Sequence, residues 1–93
     1  MNPNINHRQE ALLHEIFDRV HERFPMLQRT GEIETSPDDP RHFWIFASGT
    51  MTAEQESDAL DLAGEIEAEI LDQYGYRLSL MLLTDILEEE VFA

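Results

Sequence analysis

The apolar positions of the chain change their period several times, and each change marks an element. Leu12, Leu13, Ile16, Phe17, Val20 and Phe24 recur at spacings of three and four. At about 100° per residue they fill one side of a helix. Asn6 stands where an N-cap belongs, Gln9 completes a capping box three residues on, and Pro25 ends the run. Met26 to Ser36 carries threonines, one isoleucine and a central Gly31, which predicts an edge strand bent or bulged at the glycine. Ser36-Pro-Asp-Asp-Pro40 is dense in turn formers, so the next run, HFWIFAS, should return antiparallel.

That run has bulk on both faces. Phe43, Ile45 and Ala47 point one way, and His42, Trp44, Phe46 and Ser48 the other, which suits a central strand covered on both sides. Gly49-Thr50 reads as a turn, and Thr52 caps the longest helical segment, with Gln55 at the capping-box position. Along that helix Ala59, Leu62, Ala63, Ile66, Ile70 and Tyr74 form a core stripe, opposite a solvated stripe of Glu54, Asp58, Asp61, Glu65, Glu69 and Asp72. Gly75 is a left-handed terminator. Tyr76, Leu78, Leu80 and Leu82 then alternate with Arg77, Ser79, Met81 and Leu83 along a third strand.

The strand–helix–strand unit from His42 to Leu83 should cross over right-handed, making strands two and three parallel. Thr84 or Asp85 opens a short final helix, with Asp85 and Glu88 as its capping box. The expected architecture is one α+β domain over residues 1–93 in the order α-β-β-α-β-α. It has a three-stranded mixed sheet with two helices packed on one face, residues 1–5 flexible and residues 84–93 in the final helix. Three strands make a small sheet, and a strand from a partner could extend it.

Charge changes this picture most. There are 20 acids against 6 arginines, with no lysine, for a net charge of −14. Such a field repels a phosphate backbone and an anionic bilayer, so neither nucleic acid nor membrane is an expected partner. A basic partner or a cation fits better. Hydrophobic content of 42% belongs to a globular chain, and 93 residues allow one core with little room for an internal ligand cavity. Cysteine is absent, which excludes disulfides, thiolate metal sites and cysteine nucleophiles. The N-terminal MNPNINHRQE has neither a basic n-region nor an apolar h-region, and no run approaches the roughly 18 apolar residues of a membrane span. A cytoplasmic protein is therefore the expectation.

Candidate chemistry is sparse. His7, His14 and His21 share one flank of the first helix with Glu10 and Asp18. His14 and His21 lie two turns apart, about 10.5 Å along the axis, so one ion cannot bridge them without further ligands. His14 with Asp18, or Asp18 with His21, could supply two ligands to a divalent metal; a polar helix flank accounts for the same residues. Glu32 and Glu34 share a strand face and could hold a cation, or simply face solvent. Asp38 and Asp39 are turn formers. The four serines, at 36, 48, 57 and 79, lie in no nucleophile elbow and no local spacing links one to a histidine, and the four glycines form no phosphate-cradling loop. Trp44, Phe46, Met81 and Leu83 fall on the sheet face away from the core helices, where the C-terminal helix or another chain must cover them. Leu60, Gly64 and Leu71 form a smaller strip on the long helix, suited to contact with the first helix.

The segment DALDLAGEIEAEILDQYGYRLSLMLLTDILEEEVF resembles the second half of minimal nucleotidyltransferase-fold domains, of the kind found in toxin–antitoxin pairs. There a helix with a similar Leu-Ala and Glu-Ile pattern ends at Tyr-Gly and is followed by an apolar strand and a short acidic segment. LLHEIFDRVHERFP fits the leading helix of that order. The family's chemistry uses a Gly-Ser turn and alternating aspartates on the next strand to hold magnesium. Here that strand would be FWIFAS, which has no carboxylate, and Gly31 is followed by Glu32. The resemblance therefore implies an inactive relative, with no catalytic residue carried over. The α-β-β-α-β order is also similar to the cytoplasmic domain of cation-diffusion transporters, which is a metal-responsive dimerisation module.

The expected function is a non-enzymatic acidic interaction module, bound to a protein partner or to itself as a homodimer. It would use the Trp44, Phe46, Met81 and Leu83 face or the acidic helix. The alternative is a metal-responsive domain holding a divalent cation through His14, Asp18 and His21 or through Glu32 and Glu34. No other cofactor is expected.

Overall fold

A computed structural model describes residues 5–87. Its elements are α1 (His7–Arg23), β1 (Gln28–Thr35), β2 (His42–Thr52), α2 (Ala53–Tyr74) and β3 (Arg77–Leu87). The sheet order is β1-β2-β3, with β1 antiparallel and β3 parallel to the central β2. Both helices lie on one face of this mixed sheet. Between them and the sheet, Leu13, Ile16 and Val20 of α1 meet Ile45, Ala47 and Met51 of β2, Ile66 and Ile70 of α2, and Leu78 and Leu80 of β3 in one buried cluster.

Local chemistry sets the helix ends. The Gln9 N–H donates to Asn6 Oδ1 at 2.7 Å and the Asn6 N–H to Gln9 Oε1 at 3.1 Å, so two otherwise orphaned amides are satisfied reciprocally. Thr52 and Gln55 repeat the arrangement at the start of α2, at 3.0 and 2.9 Å. α2 ends at Gly75, whose φ of 77° costs a side-chain-bearing residue about 1–2 kcal/mol. In β1, Thr30 faces Phe46 but Glu34 faces Trp44, so the register shifts across a bulge, and Gly31 takes a φ of 72° there.

Several expectations are corrected. Gly49-Thr50 does not turn the chain, because β2 continues to Thr52. Thr84–Leu87 is strand rather than helix, in unbroken register with Gly49–Thr52. The two extensions satisfy each other's main-chain groups, and this pairing outweighs the local capping pattern at Asp85. The order is therefore α-β-β-α-β; Glu88, Val91 and Phe92, assigned to the final helix, lie outside the described residues. Of the segment expected to be flexible, residues 1–4 lie outside as well, while Ile5 packs partly buried against the core. Tyr74 leaves the core stripe for the surface, where it stacks on Tyr76 at 6.1 Å with Arg8 over its ring. Leu60 and Leu71 are 47% and 46% exposed, so α1 does not cover that strip.

Candidate functional site

The four expected contact residues are brought together on the sheet face away from both helices. The parallel register sets Phe46 beside Met81 and Ser48 beside Leu83, and the antiparallel one sets Glu34 beside Trp44 and Thr30 beside Phe46. His42, Trp44 and Phe46 run along β2 as a row of rings at 6.1 and 6.3 Å, each pair edge to face. Trp44, Phe46 and Met81 are half-buried and Leu83 is 58% exposed. Among the described residues no helix packs over this side of β2; the end of the C-terminal segment expected to cover it lies outside them.

The fold also makes a pair that sequence spacing does not suggest. His42 Nε2 and Ser79 Oγ share a 2.7 Å hydrogen bond between β2 and β3. Only the parallel register, with Trp44 opposite Ser79, could have revealed it, since the two residues are 37 apart in the chain. A serine beside a histidine is the start of a nucleophilic site, but such a site also needs an acid to orient the imidazole and donors for an oxyanion. Among the described residues no carboxylate bonds the other ring nitrogen of His42, and Ser79 lies within a regularly paired strand rather than at a turn. The pair ties the start of the aromatic row to β3.

A second missed feature lies at the outer edge of β3. The Leu80 N–H donates to Glu67 Oε2 at 2.8 Å, and Thr84 Oγ1 donates to Glu56 Oε2 at 2.6 Å. Burial raises the Glu67 carboxyl above its ordinary range, with the Leu80 amide pulling in the opposite direction. Beside it runs a groove of about 320 Å3, between Gly64, Ala68 and Leu71 of α2 and Leu78 and Ser79 of β3. A larger surface cleft, about 900 Å3, opens between Gln9, the Asp39–Arg41 turn and Gly75–Arg77, with Arg77 Nε 4.0 Å from Asp39 Oδ2.

The metal candidates remain apart. Arg29 Nη1 donates to His14 Nδ1 at 2.8 Å, and His21 Nδ1 bonds the Leu27 carbonyl at 2.7 Å while its ring stacks on Phe17 at 5.3 Å. Asp18 is exposed between them, and Glu32 and Glu34 are exposed at the β1 bulge. Among the described residues no three His, Cys, Asp or Glu side chains converge where one ion could sit. Asp38 and Asp39 build the turn as expected: the Asp38 N–H donates to Ser36 Oγ and the Arg41 N–H to Asp39 Oδ1. Among the described residues no helix is long and apolar enough to cross a membrane. In comparison with known proteins, no family model, curated protein or solved structure matches the chain.

Proposed function

We propose that the chain is a non-enzymatic protein-interaction module that meets a protein partner, or a second copy of itself, through the helix-free sheet face. One observation carries this reading: Trp44 and Phe46 stand edge to face on the central strand beside Met81 and Leu83, on the side away from both helices. Trp, Phe and Met are side chains that interface cores favour: the two aromatics remove much apolar area from water while ordering few rotatable bonds, and the flexible thioether of Met adapts to an irregular partner surface. The net charge of −14 supplies selection around that face, favouring basic partners and speeding their encounter.

Site-specific photocrosslinking tests it. A photoreactive residue at position 46, on the sheet face, should give discrete adducts in cells that make the protein, while one at position 61, on the solvated side of α2, should not. The mass of the adduct separates a partner from a second copy. Equal, diffuse labelling from both positions, or none from position 46, would overturn the proposal.

A further inference from the structure

We infer that the outer edge of β3 receives an extended basic segment of a partner protein, which adds a fourth strand to the sheet and takes over the Leu80 amide from Glu67. This rests on the reading of the domain as a protein-binding module, but it concerns an edge rather than a face and states the partner's chemistry.

The two edges of the sheet are built differently. β1 is broken by the bulge at Gly31 and presents exposed Gln28, Arg29, Glu32 and Glu34, which are the usual devices that discourage strand addition. β3 has no bulge, and its only charged residues are Arg77 at its start and Asp85 near its end. Its eleven residues contain no proline and no lysine, pair with β2 in unbroken register, and end in exposed Leu83 and Leu87. At about 3.3 Å per residue this edge is roughly 36 Å long, and among the described residues no strand pairs with it.

The Glu67 contact shows which way the edge faces. The Leu80 N–H points away from β2, and alternate residues of a parallel strand turn to the same side. The amides of Leu78, Leu82, Thr84 and Ile86 therefore face outward too. Among the described residues only Leu80's is met by a side chain, and that side chain stands where a strand carbonyl would. The groove lined by Gly64, Glu67 and Ala68 leaves space for main chain beside Leu78 and Ser79, with Arg77 and His42 also in its lining.

Charge selects the occupant. From Ala53 to Tyr74, α2 carries eight acids (Glu54, Glu56, Asp58, Asp61, Glu65, Glu67, Glu69, Asp72) and no Lys, Arg or His. Two of them, Glu56 and Glu67, touch β3 itself. A second copy would bring the same acidic helix and another −14 to this edge. A segment alternating apolar and basic side chains instead exchanges one bond for two: its carbonyl accepts from Leu80, and its arginine or lysine pairs with the released Glu67 carboxylate.

The test uses the full chain, labelled for amide NMR, and a short synthetic peptide of alternating valine and arginine. The amides of Leu78, Leu80, Leu82 and Thr84 should shift and gain about tenfold or more in hydrogen-exchange protection. A peptide N-methylated on its β3-facing amides, or a valine–glutamate peptide, should bind at least about tenfold more weakly. Leu82→Pro, which removes one outward amide, should weaken binding similarly, whereas Trp44→Ser should not; the methylated peptide keeps the test independent of whether Leu82→Pro folds. Equal binding of the methylated peptide, unshifted β3 amides, or β3 protection that arises without peptide as the sedimenting mass doubles would each overturn the inference. Failed crosslinking at position 46 with the β3 result intact would instead count against the sheet-face reading alone.

Discussion

The Glu67 carboxylate and the Leu80 amide, 2.8 Å apart, join the middle of α2 to the open edge of the sheet. Burial holds the folded-state pKa of Glu67 above its ordinary 4.5. The folded chain therefore binds a proton more readily than the unfolded one between these two values. The Glu67 contribution to stability falls as pH rises from about 4.5 through the raised folded-state pKa, and stays reduced above it. Glu67→Gln keeps an oxygen for the Leu80 amide and removes the charge. It should be more stable than the parent at neutral pH, with the difference shrinking towards zero below pH of about 4.5. Urea unfolding at a series of pH values measures this, and parallel pH profiles for the two proteins would contradict it.

Gly49 is set by close approach. A Cβ there would lie 2.6 Å from the Met26 carbonyl oxygen, main chain against main chain where β1 begins. Gly49→Ala should cost about 1–3 kcal/mol in denaturant unfolding. Gly64, on exposed α2, meets nothing within 4 Å, so Gly64→Ala should instead stabilise by about 1 kcal/mol. A neutral Gly49→Ala would mean that the Met26 turn does not pack on β2 as described.

His21 serves the fold through its bond to the Leu27 carbonyl and its stack on Phe17. His21→Ala should lose about 1–2 kcal/mol whether or not zinc is present. The melting temperature with and without zinc, nickel or magnesium checks this. A metal-dependent rise in the parent that vanishes in the variant would instead support the metal-responsive reading.

The two sheet faces should respond oppositely to truncation. Ile45→Ala, in the core, should cost about 2–5 kcal/mol, and Leu83→Ser, on the open face, within about 0.5 kcal/mol. Calorimetric melting separates them. A large loss in Leu83→Ser would mean that this side is packed in the free protein.

Much of the fold was legible because local and tertiary signals agree. Asn6 and Thr52 cap the helices that their periodicity predicts, β1 bulges at Gly31, and Gly75 takes the left-handed angle expected of a helix terminator. The ends of β2 and β3 were not legible. Gly49-Thr50 resembles a turn and Asp85 a cap, and only their long-range pairing overrides those local preferences. The sheet-face residues, by contrast, could be read from alternation alone, since successive side chains of a strand point to opposite faces whatever it pairs with. The His42–Ser79 and Glu67–Leu80 contacts could not, since they depend on the register of two strands and on where α2 lies over the edge.

Trp44 is the one tryptophan in the chain and sits within the proposed contact face, so its fluorescence reports on that face directly. Acrylamide quenching of Trp44 should be appreciable in the dilute free protein and should fall several-fold once the partner crosslinked from position 46, or a second copy at high concentration, is bound. A Trp44 already shielded in the dilute monomer, or one whose quenching is unchanged in the complex, would contradict the account.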